Sequence, residues 1–118
     1  MKENRMKIHV YKMQKAFVHV VKNLLSLASF KEDDNDLLLE QISICIVRIA
    51  ERMADLKNLE HFDAIKGNSA FMILWDYIDS LVCLALEFND ADLGAFNMRL
   101  DEFLELVGDA EDYWRDQQ

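Results

Sequence analysis

Histidine and cysteine are the side chains of this 118-residue chain best suited to bind a transition metal or to attack a substrate. The three histidines are His9, His19 and His61, and none belongs to a His-x-x-x-His or Glu-x-x-His pair. No serine or cysteine lies in a glycine-rich elbow, and no G-x-x-x-x-G-K loop could hold a phosphate. We therefore expect no metal, no cofactor and no catalytic residue, and a protein that is not an enzyme.

The two cysteines, Cys45 and Cys83, stand in apolar segments without a C-x-x-C spacing. This pattern predicts two buried thiols in a reducing cytosol, with a disulfide or a reactive thiol as the alternative. The charged N-terminus leads into no uninterrupted apolar signal region, and Asp76 and Asp79 interrupt the longest apolar run. We expect a cytoplasmic protein that does not enter a membrane.

Carboxylates form the most regular polar pattern. Six of them recur near the C-terminus at spacings that place them on one side of a helix, opposite an apolar stripe. We call this set the acidic ridge: Asp101, Glu102, Glu105, Asp109, Asp112 and Asp116. Because these side chains point away from the predicted core, they favour either a solvated face or a surface for a basic partner over a buried metal site.

Four segments carry apolar residues at intervals of three and four, which is the spacing of a helix with one buried face. The stripes are Val10, Met13, Phe17, Val20, Leu24 and Leu27; Leu39, Ile42, Ile46, Ile49, Met53 and Leu56; Phe71, Leu74, Ile78, Leu81, Ala85 and Phe88; and Leu93, Phe96, Leu100, Phe103, Val107, Ala110 and Trp114. The short connections between them favour antiparallel neighbours. We predict an all-α, single-domain, antiparallel (up-down) four-helix bundle over residues 1–118.

The predicted helices cover about 5–30, 36–61, 69–88 and 91–116. Gly67-Asn68-Ser69 is the clearest break, with Asn68 or Ser69 as cap of the third helix. Asn35 or Asp36 is expected to cap the second helix and Asp90 the fourth.

The charge distribution bears on possible partners. The net charge is −9, yet residues 1–31 hold seven bases and one acid, whereas residues 87–118 hold ten acids and two bases. In an up-down bundle the first and last helices are neighbours, so their charges can complement each other. Direct nucleic-acid binding is disfavoured by the acidic balance, with a basic strip of Arg5, Lys12, Lys15 and Lys22 as the feature that would support it.

The third helix has more apolar residues than one buried face needs. From Ala70 to Phe88, 15 of 19 residues are apolar, so such a helix requires cover on three sides. Together with two apolar residues outside the stripe of the second helix, this predicts an interface with a second copy or with another protein. The predicted interface, here called the apolar patch, is Ile44, Val47, Met72, Ile73, Trp75, Tyr77 and Leu86.

One short stretch, His61-Phe62-Asp63-Ala64-Ile65-Lys66-Gly67-Asn68-Ser69, resembles the His-x-x-Lys-Gly signature of histidine-phosphotransfer domains. Those domains are four-helix bundles of about this size in two-component relays. Lys66 and Gly67 match the signature, but Asp63 stands where the phosphorylated histidine would be, and His61 lies five residues before the lysine. The resemblance implies a degenerate phosphotransfer-like bundle, while Lys66-Gly67-Asn68-Ser69 also reads as an ordinary turn between helices.

The leading expectation is a small acidic, non-enzymatic protein-binding module that is an inhibitor or immunity-type protein, such as a phage anti-defence or anti-toxin protein. Its partner would be a basic protein, for example one that processes nucleic acids. The chain itself would form a homodimer or a hetero-complex. An adaptor or structural subunit of a larger assembly is the alternative, since it needs the apolar patch but not the acidic ridge.

Overall fold

A computed structural model of the chain describes residues 5–29, 36–59, 64–87 and 93–117. Four helices account for nearly all of these residues: α1 (Met6–Ser29), α2 (Asp36–Leu56), α3 (Ala64–Ala85) and α4 (Gly94–Asp116). No strand occurs within the described ranges. The predicted all-α four-helix bundle is confirmed.

The helices are arranged as two closely packed pairs, α1 with α4 and α2 with α3. The α1·α4 pair is antiparallel, because the His9 ring lies 4.9 Å from the Tyr113 ring and the Phe17 ring lies 5.1 Å from the Phe103 ring. Residues whose numbers add up to about 121 therefore lie at the same height along this pair. In the second pair the Cys45 thiol lies 3.8 Å from the Tyr77 carbonyl oxygen.

The core lies between the two pairs and consists of the predicted stripes with small changes. Every residue of the predicted stripes of α1, α3 and α4 whose side chain is described is buried, except Leu93, which is half-buried. In α2, Leu39 and Ile46 are half-buried, and Leu38 and Cys45 are buried with the other stripe residues instead. Each fully buried large aliphatic or aromatic side chain contributes about 1.5–3 kcal/mol through removal of its surface from water. Leu27 and Phe88 fall outside the described side chains.

The predicted break at Gly67-Asn68-Ser69 is wrong. Helix α3 begins at Ala64, so all three residues lie inside its first two turns and neither Asn68 nor Ser69 caps it. Gly67 is buried, and a Cβ atom at this position would overlap the indole ring of Trp114. The glycine is therefore explained by close packing of α3 on the end of α4 and not by a turn, and its φ angle is not positive.

Other helix ends also differ from the predicted bounds. Helix α2 ends at Leu56 rather than near 61, and the amide of Lys57 donates to the Ala54 carbonyl oxygen in a tightened final turn. Helix α4 begins at Gly94, and the residue before it, Leu93, makes no side-chain capping bond. The other proposed cap positions, Asn35 and Asp90, lie outside the described residues.

Candidate protein-binding surfaces

The acidic ridge lies on the outer side of α4. All six carboxylates are exposed, opposite the buried Phe103 and Val107. From Asp101 to Asp116 the ridge extends over about 22 Å at the rise of an α-helix. Met98, which is 56% exposed, lies on the same side one turn before Asp101. Glu102 accepts a hydrogen bond from Arg99 at 3.3 Å, and the other five ridge carboxylates have no ion-pair partner within 4 Å among the described residues.

Helix α1 carries a second outward surface, made of alternating apolar and basic residues. Its apolar members are each about half exposed, and the Lys15 ammonium lies 5.3 Å from the centre of the Tyr11 ring. We call this surface the mixed stripe: Ile8, Tyr11, Lys15, Val18, Lys22 and Leu25. Sequence reasoning recognised the two lysines but missed the apolar members. The signal that could have found them is the seven-residue spacing of Tyr11, Val18 and Leu25.

The mixed stripe and the acidic ridge are neighbours on the outer face of the α1·α4 pair. The seam between them is marked by His9, which packs against Tyr113. Burial lowers the pKa of His9, the positive charge of Lys12 lowers it further, and the carboxylate of Asp109 opposes both effects. Both signs of charge therefore act across this seam.

The predicted charge complementarity of α1 and α4 is seen in the adjacent positions of the two helices but not in ion pairs between them. The helices are adjacent, yet among the described residues no basic side chain of α1 comes within 4 Å of an acid of α4. The ion pairs Arg48–Glu51, Arg52–Asp55, Arg99–Glu102 and Arg115–Glu111 each join residues of a single helix. Among the described residues, the ridge and the bases of α1 therefore form no ion pair with each other.

The residues of the predicted apolar patch fall into two groups. Ile44, Val47, Met72 and Leu86 are more than half exposed and Ile73 is 39% exposed. Trp75 and Tyr77 are only half-buried and pack against the core. Val82 and Leu84 do the same, so packing inside the bundle covers part of the excess apolar surface that led us to expect an interface.

An open groove of about 500 Å³ runs between α2 and α3 on this side of the molecule. Its lining is Gln41, Ile44, Cys45, Asp79, Ser80, Cys83, Leu84 and Glu87. Cys45 is buried as predicted, and burial raises the pKa of its thiol. The prediction of a buried Cys83 is wrong, because Cys83 lies on the outer side of α3 and is exposed.

The structure does not bring the acidic ridge and the apolar patch together on one face. The ridge belongs to the outer side of the α1·α4 pair, while the patch belongs to the α2·α3 pair on the other side of the core. A small partner can contact one surface or the other. The two predicted surfaces are therefore separate candidates.

Other kinds of site find little support within the described ranges. No group of three or more His, Cys, Asp or Glu residues is placed to hold a metal ion in the part of the chain described. Of the phosphotransfer-like stretch, Lys66 is exposed and Gly67 is buried in α3, whereas His61 and Asp63 lie outside the described residues. None of the described helices combines the length and apolar character needed to span a bilayer.

No protein family, curated protein or solved structure matches this chain.

Proposed function

We propose that this chain is a small acidic cytoplasmic protein that binds a basic protein through the acidic ridge and has no enzymatic activity of its own. An inhibitor or immunity-type role follows if the basic surface it covers is one that the target uses to bind nucleic acid. The observation that supports the proposal is the row of five exposed carboxylates on the outer face of α4 that have no ion-pair partner among the described residues.

The chemistry of the ridge suits such a target. A basic surface that binds phosphates presents several lysine or arginine side chains in a row, and six carboxylates along about 22 Å of helix match that arrangement. Together with the net charge of −9, these carboxylates attract a basic protein over a distance. This attraction chiefly raises the rate of association and selects against acidic partners.

The test is affinity isolation from the native host with a tagged chain, compared with charge-reversed forms. The ridge variant carries Glu105→Lys, Asp109→Lys and Asp112→Lys. The matched control carries Glu40→Lys, Asp76→Lys and Asp79→Lys, which are exposed acids of the α2·α3 pair and give the same change of charge. We expect basic proteins bound by the unmodified chain and by the control to fall about tenfold or more with the ridge variant. Equal losses with both variants, or no loss with the ridge variant, would contradict the proposal.

A second candidate, an adaptor or structural subunit, is favoured by the exposure of Ile44, Val47 and Met72. An adaptor would contact its assembly by burying this apolar surface. The double substitution Ile44→Glu and Met72→Glu should then abolish capture of the partner, while reversal of the ridge should have little effect.

A further inference from the structure

We propose that the mixed stripe of α1 docks on the acidic ridge of a second copy, so that two chains form a symmetric dimer through their α1·α4 faces. This inference does not rest on the proposed function, because the dimer requires no target. It assigns an occupant to the α1 surface, which the fold leaves open to solvent.

The outer α1·α4 face carries complementary charges. The outer side of α1 presents Lys15 and Lys22, and the outer side of α4 presents the acids of the ridge. Within the described part of the chain, neither lysine is within 4 Å of an acid of α4. A second copy brings the missing opposite charges to both helices at the same time.

Symmetry limits how the α1·α4 faces of two copies can pair. Two identical faces can be related by a two-fold axis parallel to the helices or by one perpendicular to them. The perpendicular axis places α4 on α4, which stacks one acidic ridge on the other. The parallel axis places α1 of each copy on α4 of the other, so opposite charges meet twice. The charge pattern therefore selects the parallel axis.

The heights of residues along the helices also agree with this arrangement. A two-fold axis parallel to the helices keeps each residue at its own height, so the pairing by height within one chain also applies between copies. Residues whose numbers add up to about 121 are level, as shown by the ring contacts of His9 with Tyr113 and of Phe17 with Phe103. Lys15 and Glu105 add up to 120 and are level to within one residue. Lys22 with Asp101 and Leu25 with Met98 each add up to 123 and are level to within two residues, or about 3 Å. The two charged pairs and the apolar pair are therefore close in height across the two-fold axis.

The size of the face is adequate for a stable contact. Two helices of 23–24 residues lying side by side present an area of about 35 by 20 Å, or roughly 700 Å² per copy. The dimer would bury about 1,400 Å² in total, which falls in the range of specific interfaces. Tyr11, Val18, Leu25 and Met98 supply apolar area within it, and tyrosine is enriched among residues that anchor interfaces.

A consequence follows for binding of any basic target. Because the second copy occupies the acidic ridge, the dimer and a ridge-bound complex exclude each other. The target must compete with α1 of the second copy.

The test uses three forms of the full chain, each studied by light scattering behind size exclusion over a hundredfold concentration range at constant salt. One form carries Lys15→Glu and Lys22→Glu, which places acids on the outer sides of both α1 and α4. Another carries Asp101→Lys and Glu105→Lys, which places two bases on the outer side of α4 and leaves α1 unchanged. A control with Arg48→Glu on α2 and Lys57→Glu directly after it makes the same change of charge as the first form, but on the other helix pair. Helix content by circular dichroism verifies that each form is folded.

We expect the unmodified chain and the control to dimerise, and each of the two outer-face variants to dimerise at least about tenfold more weakly. An equimolar mixture of the two variants should restore the dimer as a one-to-one complex. In it, the new glutamates on α1 of one variant face the new lysines on α4 of the other, and the unmodified α1 and acidic ridge also face each other. A chain that stays monomeric at all concentrations overturns the proposal. So does a mixture that fails to restore the dimer, or a dimer that is lost in the control but not in the outer-face variants.

Discussion

The two helix pairs bury the same kind of surface and expose different kinds. Inside, α1·α4 contributes aromatic rings in contact, such as Phe17 and Phe103, and α2·α3 contributes a buried aliphatic stripe that includes Ile49 and Ile78. Outside, α1·α4 carries acidic and basic residues with apolar residues among the bases, whereas α2·α3 carries exposed apolar residues beside an open groove. The inner faces define one fold, and the outer faces define two different ways to bind.

The difference predicts how each face would act on a partner. A charged face attracts an oppositely charged molecule before contact, and it therefore affects mainly the rate of association. An apolar face acts only when its surface is removed from water, and it therefore affects mainly the lifetime of the complex. For this reason, charge reversal is the test for the two proposals that use α1·α4. Substitution of apolar residues by glutamate is the test for the adaptor hypothesis.

The largest effect is expected where the two pairs meet, at Gly67. The substitution Gly67→Ala places a methyl group on the indole ring of Trp114. Overpacking of this kind costs about 1–3 kcal/mol of unfolding free energy, to be measured by urea denaturation. If α3 and α4 meet at this end as described, Trp114→Phe in the same background should recover part of the loss, because the smaller ring leaves room for the methyl group.

Gly108 in the middle of α4 is the matched control. A Cβ at Gly108 meets no atom within 4 Å, and replacement of glycine by alanine in a helix stabilises it by about 0.5–1 kcal/mol. Gly108→Ala should therefore raise the free energy of unfolding while Gly67→Ala lowers it. Equal effects of the two substitutions would show that Trp114 does not pack on Gly67.

The contrast between these glycines explains why the fold could be predicted but a helix boundary could not. The apolar stripes that contain Val20, Ile78 and Phe103 depend only on local spacing, and the structure buries these residues as predicted. The role of Gly67 depends on Trp114, which lies far away in the chain but close in the bundle. A sequence pattern contains no sign of that contact, so a glycine followed by asparagine and serine predicts a turn.

The candidate surfaces show a similar division. The exposure of the acidic ridge follows from its position opposite the stripe of α4, and the period of the helix places it correctly. The excess of apolar residues in α3 was harder to interpret, because Trp75 and Val82 pack against the core beside the stripe. The exposed position of Cys83 was missed for the same reason, since an apolar surrounding in sequence does not reveal which side of the helix is covered.

The two cysteines provide the next test, on the α2·α3 side of the comparison. Both line the groove, but Cys83 is exposed and Cys45 is buried. We expect Cys83 to react with a thiol reagent roughly tenfold faster than Cys45, since reaction requires an accessible thiolate. The rates are measured separately with Cys45→Ala and Cys83→Ala.

The raised pKa of Cys45 also has a consequence for stability. Because the folded state holds the proton of this thiol more tightly than the unfolded state, stability should fall as the pH rises past the ordinary cysteine pKa of 9.0. The part of this decrease that is due to Cys45 should disappear in Cys45→Ala. In the modification experiment, a Cys45 thiol that reacts as fast as that of Cys83 would show that the α2·α3 pair is more open than described.

The smallest effect is expected at the seam of the α1·α4 pair, where His9 reports on both signs of charge. Desolvation and Lys12 lower the pKa of His9, and Asp109 raises it. Lys12→Gln should therefore raise the pKa, and Asp109→Asn should lower it further. Both shifts can be followed by NMR titration of the imidazole, with Lys57→Gln just after α2 as a control that should leave the titration unchanged.

The sign of the corresponding stability change follows from the lowered pKa. The folded state takes up a proton at His9 less readily than the unfolded state, so stability should fall as the pH drops below the ordinary value of 6.5 and level off below the folded-state pKa. Replacement by His9→Gln should remove this part of the pH dependence. If Lys12→Gln and Asp109→Asn shift the pKa in the same direction, the two charges do not act on His9 from opposite sides of the seam. The adjacency of bases and acids on which the proposed dimer depends would then be wrong, whereas opposite shifts would show that both charges reach the same ring.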